Sequence, residues 1–204
     1  LYQGRFGNNI VQYWAGRLFA ERHNLKLQTD WNRPNYVGVY PCRSGENESE
    51  NWKNYPEVEV TDLTFERVMS MDRAGDAMYY FKSYSQFLYL FEPHLEQIRS
   101  WMQLPEAPTI GDDEIAMHVR LTDHGFNGSL ILSPKWYCDI LEKESFKKLT
   151  IFTEDSCATS MFEKYRKWNP EIVSSPDCMT DWHHLRQFRK VIIPNSTFSL
   201  TSVL

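Results

Sequence analysis

Asp113-Glu114-Ile115-Ala116-Met117-His118-Val119-Arg120-Leu121-Thr122-Asp123-His124-Gly125 is the stretch that decides the fold. Ile115–Val119 predicts a short buried strand. The strand ends in a polar group, His118, Arg120, Thr122, Asp123 and His124, before Gly125. Open α/β sheets build ligand sites by delivering polar side chains at the carboxyl ends of their strands. Arg120 carries most weight, because a planar, permanently charged guanidinium suits phosphate oxygens. The competing reading is a charged surface turn.

Downstream, strand and helix patterns alternate. Ser133-Pro134 starts a helix that runs to about Lys143, with proline at its first position. Leu149–Thr153 predicts a second strand, ending in Glu154-Asp155. A helix follows from about Cys157 to Trp168, which stops before Pro170. Ile172-Val173 is a short strand, Asp181–Arg189 a helix, and Val191–Ile193 a strand. The segment Pro194-Asn195-Ser196-Thr197-Phe198-Ser199 opens a last helix. Such alternation predicts a parallel sheet with helices on both faces.

Upstream, Gly4, Arg5, Gly7 and Asn8 lie in a predicted glycine loop between a strand end and a helix from about Ile10 to His23. Val11, Trp14, Ala15, Leu18 and Phe19 give that helix one apolar face. Strand, glycine loop and helix can bring main-chain N–H groups to an anion, or simply pack helix on strand. Leu25–Thr29 and Val58–Val60 predict short strands. Residues 31–56 predict a long loop, and Thr61-Asp62 caps a helix reaching Met69. Tyr79–Leu90 is dense in aromatic residues, favouring core over a sugar platform. Glu92–Gln103 predicts a helix. Pro105, Pro108 and Gly111 mark a boundary, dividing the chain into residues 1–107 and 108–204.

The 204 residues suffice for one large domain or two small ones. A net charge of −5 without a long basic stripe argues against nucleic acid as a partner. No apolar run is long enough to span a bilayer. The chain opens on Leu1-Tyr2, which suits a processed form, so membrane attachment would come only through an anchor outside these residues. Cys42, Cys138, Cys157 and Cys178 show no CxxC spacing, which disfavours zinc; disulfides and free thiols both stay open. Asn47-Glu48-Ser49 and Asn127-Gly128-Ser129 are sequons that count only in a secretory compartment.

Three strand ends therefore carry polar clusters to one sheet edge. Arg120 can hold a diphosphate and offset its charge as it leaves. Glu154 or Asp155 can accept the donors of a guanine, or cap a helix. Ser196, Thr197 and Ser199 sit where hydroxyls bind phosphate or cap the helix. No metal is expected: there is no DxD, and His23, His94, His183 and His184 form no ligand pattern.

Together these elements resemble the α-1,2-fucosyltransferase family (glycosyltransferase family 11). Gly4-Arg5-Phe6-Gly7-Asn8-Asn9-Ile10-Val11-Gln12-Tyr13 is similar to that family's Gly-x-Leu-Gly-Asn-Gln-x-Phe-Gln-Tyr start. Tyr84-Ser85-Gln86 resembles its Tyr-Phe-Gln element, and His118-Val119-Arg120 with Asp123 its His-Val-Arg-Arg-Gly-Asp. Phe152-Thr153-Glu154-Asp155 is similar to Phe-Ser-Asp-Asp, and Asn195–Ser199 to Asn-Ser-Ser/Thr-Phe-Ser. These motifs run in the family's order over almost the whole chain.

The resemblance implies a GT-B-like α/β fold of two Rossmann-like halves, with a parallel sheet in the C-terminal half. Residues 1–107 would be the acceptor side and 108–204 the nucleotide-sugar-binding half. The implied activity is metal-independent, inverting transfer of L-fucose from GDP-fucose to a sugar hydroxyl, in carbohydrate metabolism or protein glycosylation. His118 and Asp155 would contact guanine, Arg120 the β-phosphate, and Thr197 and Ser199 the diphosphate, with Asn195-Ser196-Thr197 a buried motif. Gly4, Gly7 and Asn8 would close the site, and Asp123 is the candidate base. The compartment would be the Golgi lumen in a eukaryote and the cytoplasm in a bacterium or virus.

The chain departs from the family at Leu121, where a second arginine stands, at Thr122, where glycine stands, and at Leu200-Thr201, where two tryptophans stand. Two alternatives follow: a transferase using another nucleotide sugar on the same scaffold, and a non-catalytic nucleotide- or glycan-binding domain.

Overall fold

The computed structural model describes residues 6–29, 37–41, 55–82, 88–102, 110–121, 131–154 and 162–204. Gly4, Arg5, Tyr84, Gln86, Asp123, Asp155 and the sequons at Asn47 and Asn127 lie outside them. The described residues fall into two compact units, one up to Ser100 and one from Trp101 onward. The junction expected at residues 107 and 108 also lies outside the described segments.

In the first unit a helix, Phe6–His23, covers a four-stranded sheet. The strands are β1 (Lys26–Thr29), β2 (Val37–Tyr40), β3 (Glu57–Val60) and β4 (Met78–Phe81), in the order β1-β2-β4-β3. β1 and β2 pair antiparallel, as do β2 and β4; only β3 and β4 run parallel. The sheet is therefore mixed, not all-parallel. Chain length explains the difference. Residues 30–36 are fewer than the roughly dozen that a parallel crossover needs. By contrast, the β3–β4 connection holds a helix, Phe65–Met69. Aromatic residues fill the core: Phe19 packs on Tyr79 at 4.8 Å and on Phe81 at 5.8 Å, and Phe65 on Phe81 at 6.5 Å between ring centroids.

Two expectations shift here. The first helix begins at Phe6, so Gly7, Asn8 and Asn9 form its first turn instead of a loop before it. The predicted loop 31–56 contains β2, whose four residues are all buried. A glycine makes that burial possible on the helix side. A Cβ on Gly16 would lie 2.5 Å from Val37 Cγ1 and 3.3 Å from Leu27 Cδ1, so helix and sheet approach at hydrogen-only distance there.

The second unit is an α/β layer structure around a four-stranded, all-parallel sheet. Its strands are β5 (Glu114–Val119), β6 (Lys148–Thr153), β7 (Glu171–Val173) and β8 (Val191–Ile192), in the order β7-β6-β5-β8. Side chains alternate between the faces, as a pleated strand requires. Ile115, Met117 and Val119 meet Tyr137, Leu141 and Tyr165 on one face. Ala116 and Phe152 meet Leu185 and Phe188 on the other. Burial on both faces is the pattern of parallel sheets.

Helices flank both faces. Pro134–Leu141 is capped by Ser133, whose Oγ accepts from Trp136 N at 3.3 Å, and Tyr137 and Leu141 turn inward one turn apart. On the same face, residues Glu163–Trp168 form a 3-10 helix, which ends at Asn169 in the left-handed region (φ 46°). Asparagine tolerates that region better than most side chains. On the other face, Cys178–Leu185 is capped by Asp177 and buries Trp182 and Leu185. The Trp182 indole N–H donates to Thr201 Oγ1 at 3.2 Å, joining this helix to the last one, Thr197–Val203.

The topology sets where a ligand can sit. From β5 the chain moves to β6 and β7 on one side, then returns to place β8 on the other. Counted from β5, the order is 3-2-1-4. The connections therefore diverge between β5 and β8, and such a switch point opens a crevice at the strands' carboxyl ends. The amino ends carry exposed ion pairs: Lys147 with Asp113 at 2.9 Å, Lys148 with Glu171 at 2.9 Å and Arg189 with Asp112 at 3.4 Å.

Candidate functional site

The carboxyl edge of the parallel sheet is the candidate site. Arg120 follows the last residue of β5 and is half-buried, and its Nη1 donates to Ser196 Oγ at 3.1 Å. Ser196 lies beyond β8, so this hydrogen bond spans the switch point. Next to it, the main-chain N–H of Leu121 donates to Glu154 Oε1 at 2.8 Å, joining the residues just after β5 to the end of β6. All three polar strand ends read from the sequence, after β5, β6 and β8, are thus linked by side chains at one edge.

The predicted residues occupy different depths. Asn195 and Glu154 are exposed. His118 is only 5% exposed; it points to the Ala116 face of the sheet, and its ring packs against Phe198 with centroids 5.3 Å apart. Thr197 is 3% exposed. Ser199 is fully buried, and its hydroxyl donates to the Ser196 carbonyl at 3.3 Å. The edge a ligand meets is therefore made of Arg120, Glu154 and Asn195, with His118, Thr197 and Ser199 in the layer below. Gly7 is buried and Asn8 half-buried in the first turn of their helix, in the other unit. Asp123, Asp155, Gly4 and Arg5 lie outside the described residues.

Ser196 is the residue whose part the sequence disguises. It stands at the N-cap of the helix Thr197–Val203 with extended dihedrals (φ −124°, ψ 121°), yet its side chain makes no capping hydrogen bond. A serine before a helix signals a cap, and here the hydroxyl faces a guanidinium instead. Phe198 is likewise invisible as a site residue in the motif, where it reads as one more apolar helix position.

Burial sets the ionisation of the groups around this edge. Tyr137, packed on β5 from the helix Pro134–Leu141, has its phenol pushed upward by burial and further by the Glu154 charge. Asp181 is 9% exposed; Oδ2 accepts from Ser175 N at 3.1 Å, while Oδ1 has no hydrogen-bond partner among the described residues. Burial raises its carboxyl above the ordinary range. His184 packs on Phe152 at 5.0 Å and on Phe188 at 5.7 Å, a helix-packing role.

Cys138 and Cys178 are free thiols, while Cys42 and Cys157 lie outside the described residues. Among the described residues no group of three or more His, Cys, Asp or Glu is placed to hold a metal ion. No described helix is long and apolar enough to cross a membrane.

Neither protein-family models, curated proteins nor solved structures give a match to this chain.

Proposed function

We propose that the chain is an inverting glycosyltransferase that moves L-fucose from GDP-fucose to a sugar hydroxyl. The observation that carries this reading is Arg120 at the β5–β8 switch point, held by Ser196 from across the gap. A cation at the carboxyl edge of a 3-2-1-4 parallel sheet is suited to the diphosphate of a nucleotide. The motif resemblance supplies guanine and fucose.

In this reading the second unit is the Rossmann-like donor half of a GT-B-like protein. The first unit, with Gly4, Arg5, Gly7 and Asn8, supplies the acceptor side. Arg120 would grip the β-phosphate and stabilise the charge that grows there as the sugar–phosphate bond breaks. The acceptor hydroxyl attacks the opposite face of a loose, oxocarbenium-like sugar, inverting the anomeric centre. Asp123 would take the hydroxyl proton. Glu154, exposed beside Leu121, stands where a base could be read, and Asn195 borders the phosphate region. No metal is assigned a part.

One observation favours a second reading, a binding domain without turnover. The position of the family's second arginine is Leu121, which packs against the apolar core beneath β5 and leaves the site one cation poorer.

The test is a transfer assay with GDP-fucose, other GDP-hexoses and dTDP-deoxysugars against a panel of sugar acceptors, with and without chelator. Transfer from GDP-fucose that survives chelation and falls by roughly 10²-fold or more in Arg120→Ala supports the assignment. Turnover of a dTDP-sugar instead moves the donor. Arg120-dependent binding of nucleotide with no turnover of any donor supports the binding domain.

A further inference from the structure

We propose that Ser196 is a positioning residue for Arg120 and not itself a ligand of the phosphate. The consequence for binding rests on the nucleotide-sugar reading above; the geometry does not.

Three helices of the second unit begin at a residue able to cap them, each with extended dihedrals. Ser133 accepts from Trp136 N at 3.3 Å, and Asp177 accepts from Met179 N at 3.1 Å. Ser196 alone of the three makes no side-chain cap. Its hydroxyl is occupied by Arg120 Nη1 at 3.1 Å. A residue that could have satisfied its own helix serves a side chain 76 positions away in the sequence.

Ser196 is well suited to anchor a long side chain. It is 3% exposed, so little of its surface is open to a ligand at the edge. Its backbone is fixed on both sides: the N–H donates to Pro194 O at 2.7 Å, and the carbonyl accepts from Leu200 N at 3.0 Å and from Ser199 Oγ at 3.3 Å. An arginine side chain loses much rotamer freedom when ordered, and a bond to a rigid acceptor imposes that loss before the ligand arrives.

The test uses the full chain with Ser196→Gly, Ser196→Thr, Arg120→Ala and the Arg120→Ala/Ser196→Gly double variant. Glycine is a tolerated N-cap, and thermal unfolding checks that each variant folds. Two readouts are taken: the order of the Arg120 Nε–H by NMR relaxation without ligand, and GDP affinity by calorimetry. The proposal expects Ser196→Gly to loosen Arg120 and weaken GDP about tenfold, Ser196→Thr to restore both, and Ser196→Gly to add nothing once Arg120 is alanine.

An equal loss from Ser196→Gly in the presence and absence of Arg120 would make Ser196 a direct ligand and overturn the proposal. Unchanged Arg120 order in Ser196→Gly would overturn it as well. A wild-type chain that binds no GDP, while Ser196→Gly still loosens Arg120, keeps the positioning contact and removes the nucleotide reading instead.

Discussion

The Leu121 main-chain N–H and Glu154 Oε1, 2.8 Å apart, tie the chain just after Arg120 to the end of the neighbouring strand. A carboxylate read from the sequence as a base-recognition group or a helix cap thus has a main-chain partner at Leu121, just after β5. Glu154→Ala removes an acceptor from an N–H that water can then reach, so the cost is about 0.5–1.5 kcal/mol. Glu154→Gln keeps an oxygen at the same place and should recover most of it. Urea unfolding of the two variants checks this; equal loss in both would mean that the charge, and not the hydrogen bond, matters.

Gly16 tests the packing of the first unit. Alanine favours helix over glycine by about 0.8–1.0 kcal/mol, but its Cβ would sit 2.5 Å from Val37 Cγ1. Valine is stiff at χ1 and cannot swing that methyl away cheaply. Gly16→Ala should therefore destabilise by about 1–3 kcal/mol, the range for overpacking. Adding Val37→Ala should recover part of the loss. A stabilised Gly16→Ala chain in chemical denaturation would contradict the packing described.

Asp181 makes a pH-dependent prediction. Burial raises its folded pKa, partly opposed by the Ser175 N–H bond and the nearby His184, and reinforced by Asp177. A raised folded pKa means the folded state holds the proton longer than the unfolded one. The destabilisation is thus absent below the ordinary carboxyl value of about 4 and grows as pH rises through it towards the folded value. Asp181→Asn keeps an acceptor for Ser175 and removes the charge. Its melting temperature should exceed the wild type's at pH 7, with the gap closing by pH 3. A variant less stable than wild type at pH 7 would show the ionised carboxylate to be favourable.

Asp177 carries the opposite sign. Its carboxyl is held below the ordinary range, first by the Met179 N–H and then by the Thr180 hydroxyl, which donates at 3.1 Å. The stabilisation it gives the helix Cys178–Leu185 is present at neutral pH and lost as pH falls through the depressed value. Asp177→Asn should therefore resemble wild type in acid and fall behind it near neutrality. Thermal melts of both proteins across pH 2–7 check the crossover.

Much of the second unit is legible in the sequence because its signals are local. Ile115–Val119 and Leu149–Thr153 are largely apolar stretches of strand length, and they form β5 and β6 with one residue more at the start of each. Ser133-Pro134 announces its helix through capping chemistry that the structure retains. The first unit is harder to read because its order is non-local. β2 is four residues among Asn, Pro and Gly, and it is a strand because β1 and β4 flank it. β4 overlaps an aromatic stretch and is itself buried at three of its four residues, so alternation gives no cue.

At the site the same division holds. Arg120 stands out by its position after a strand, whereas the contact that orients it depends on a serine whose local signal points to capping. No spacing rule joins residues 120 and 196; the strand order that makes β5 and β8 neighbours does.

The most direct test of the central claim is calorimetric titration of GDP, UDP and dTDP into the wild-type chain and Arg120→Ala, without added metal. The account predicts binding selective for GDP, with affinity reduced at least tenfold by Arg120→Ala while the melting temperature stays close to wild type. Equal binding of all three nucleotides, or GDP affinity unchanged in Arg120→Ala, would contradict it.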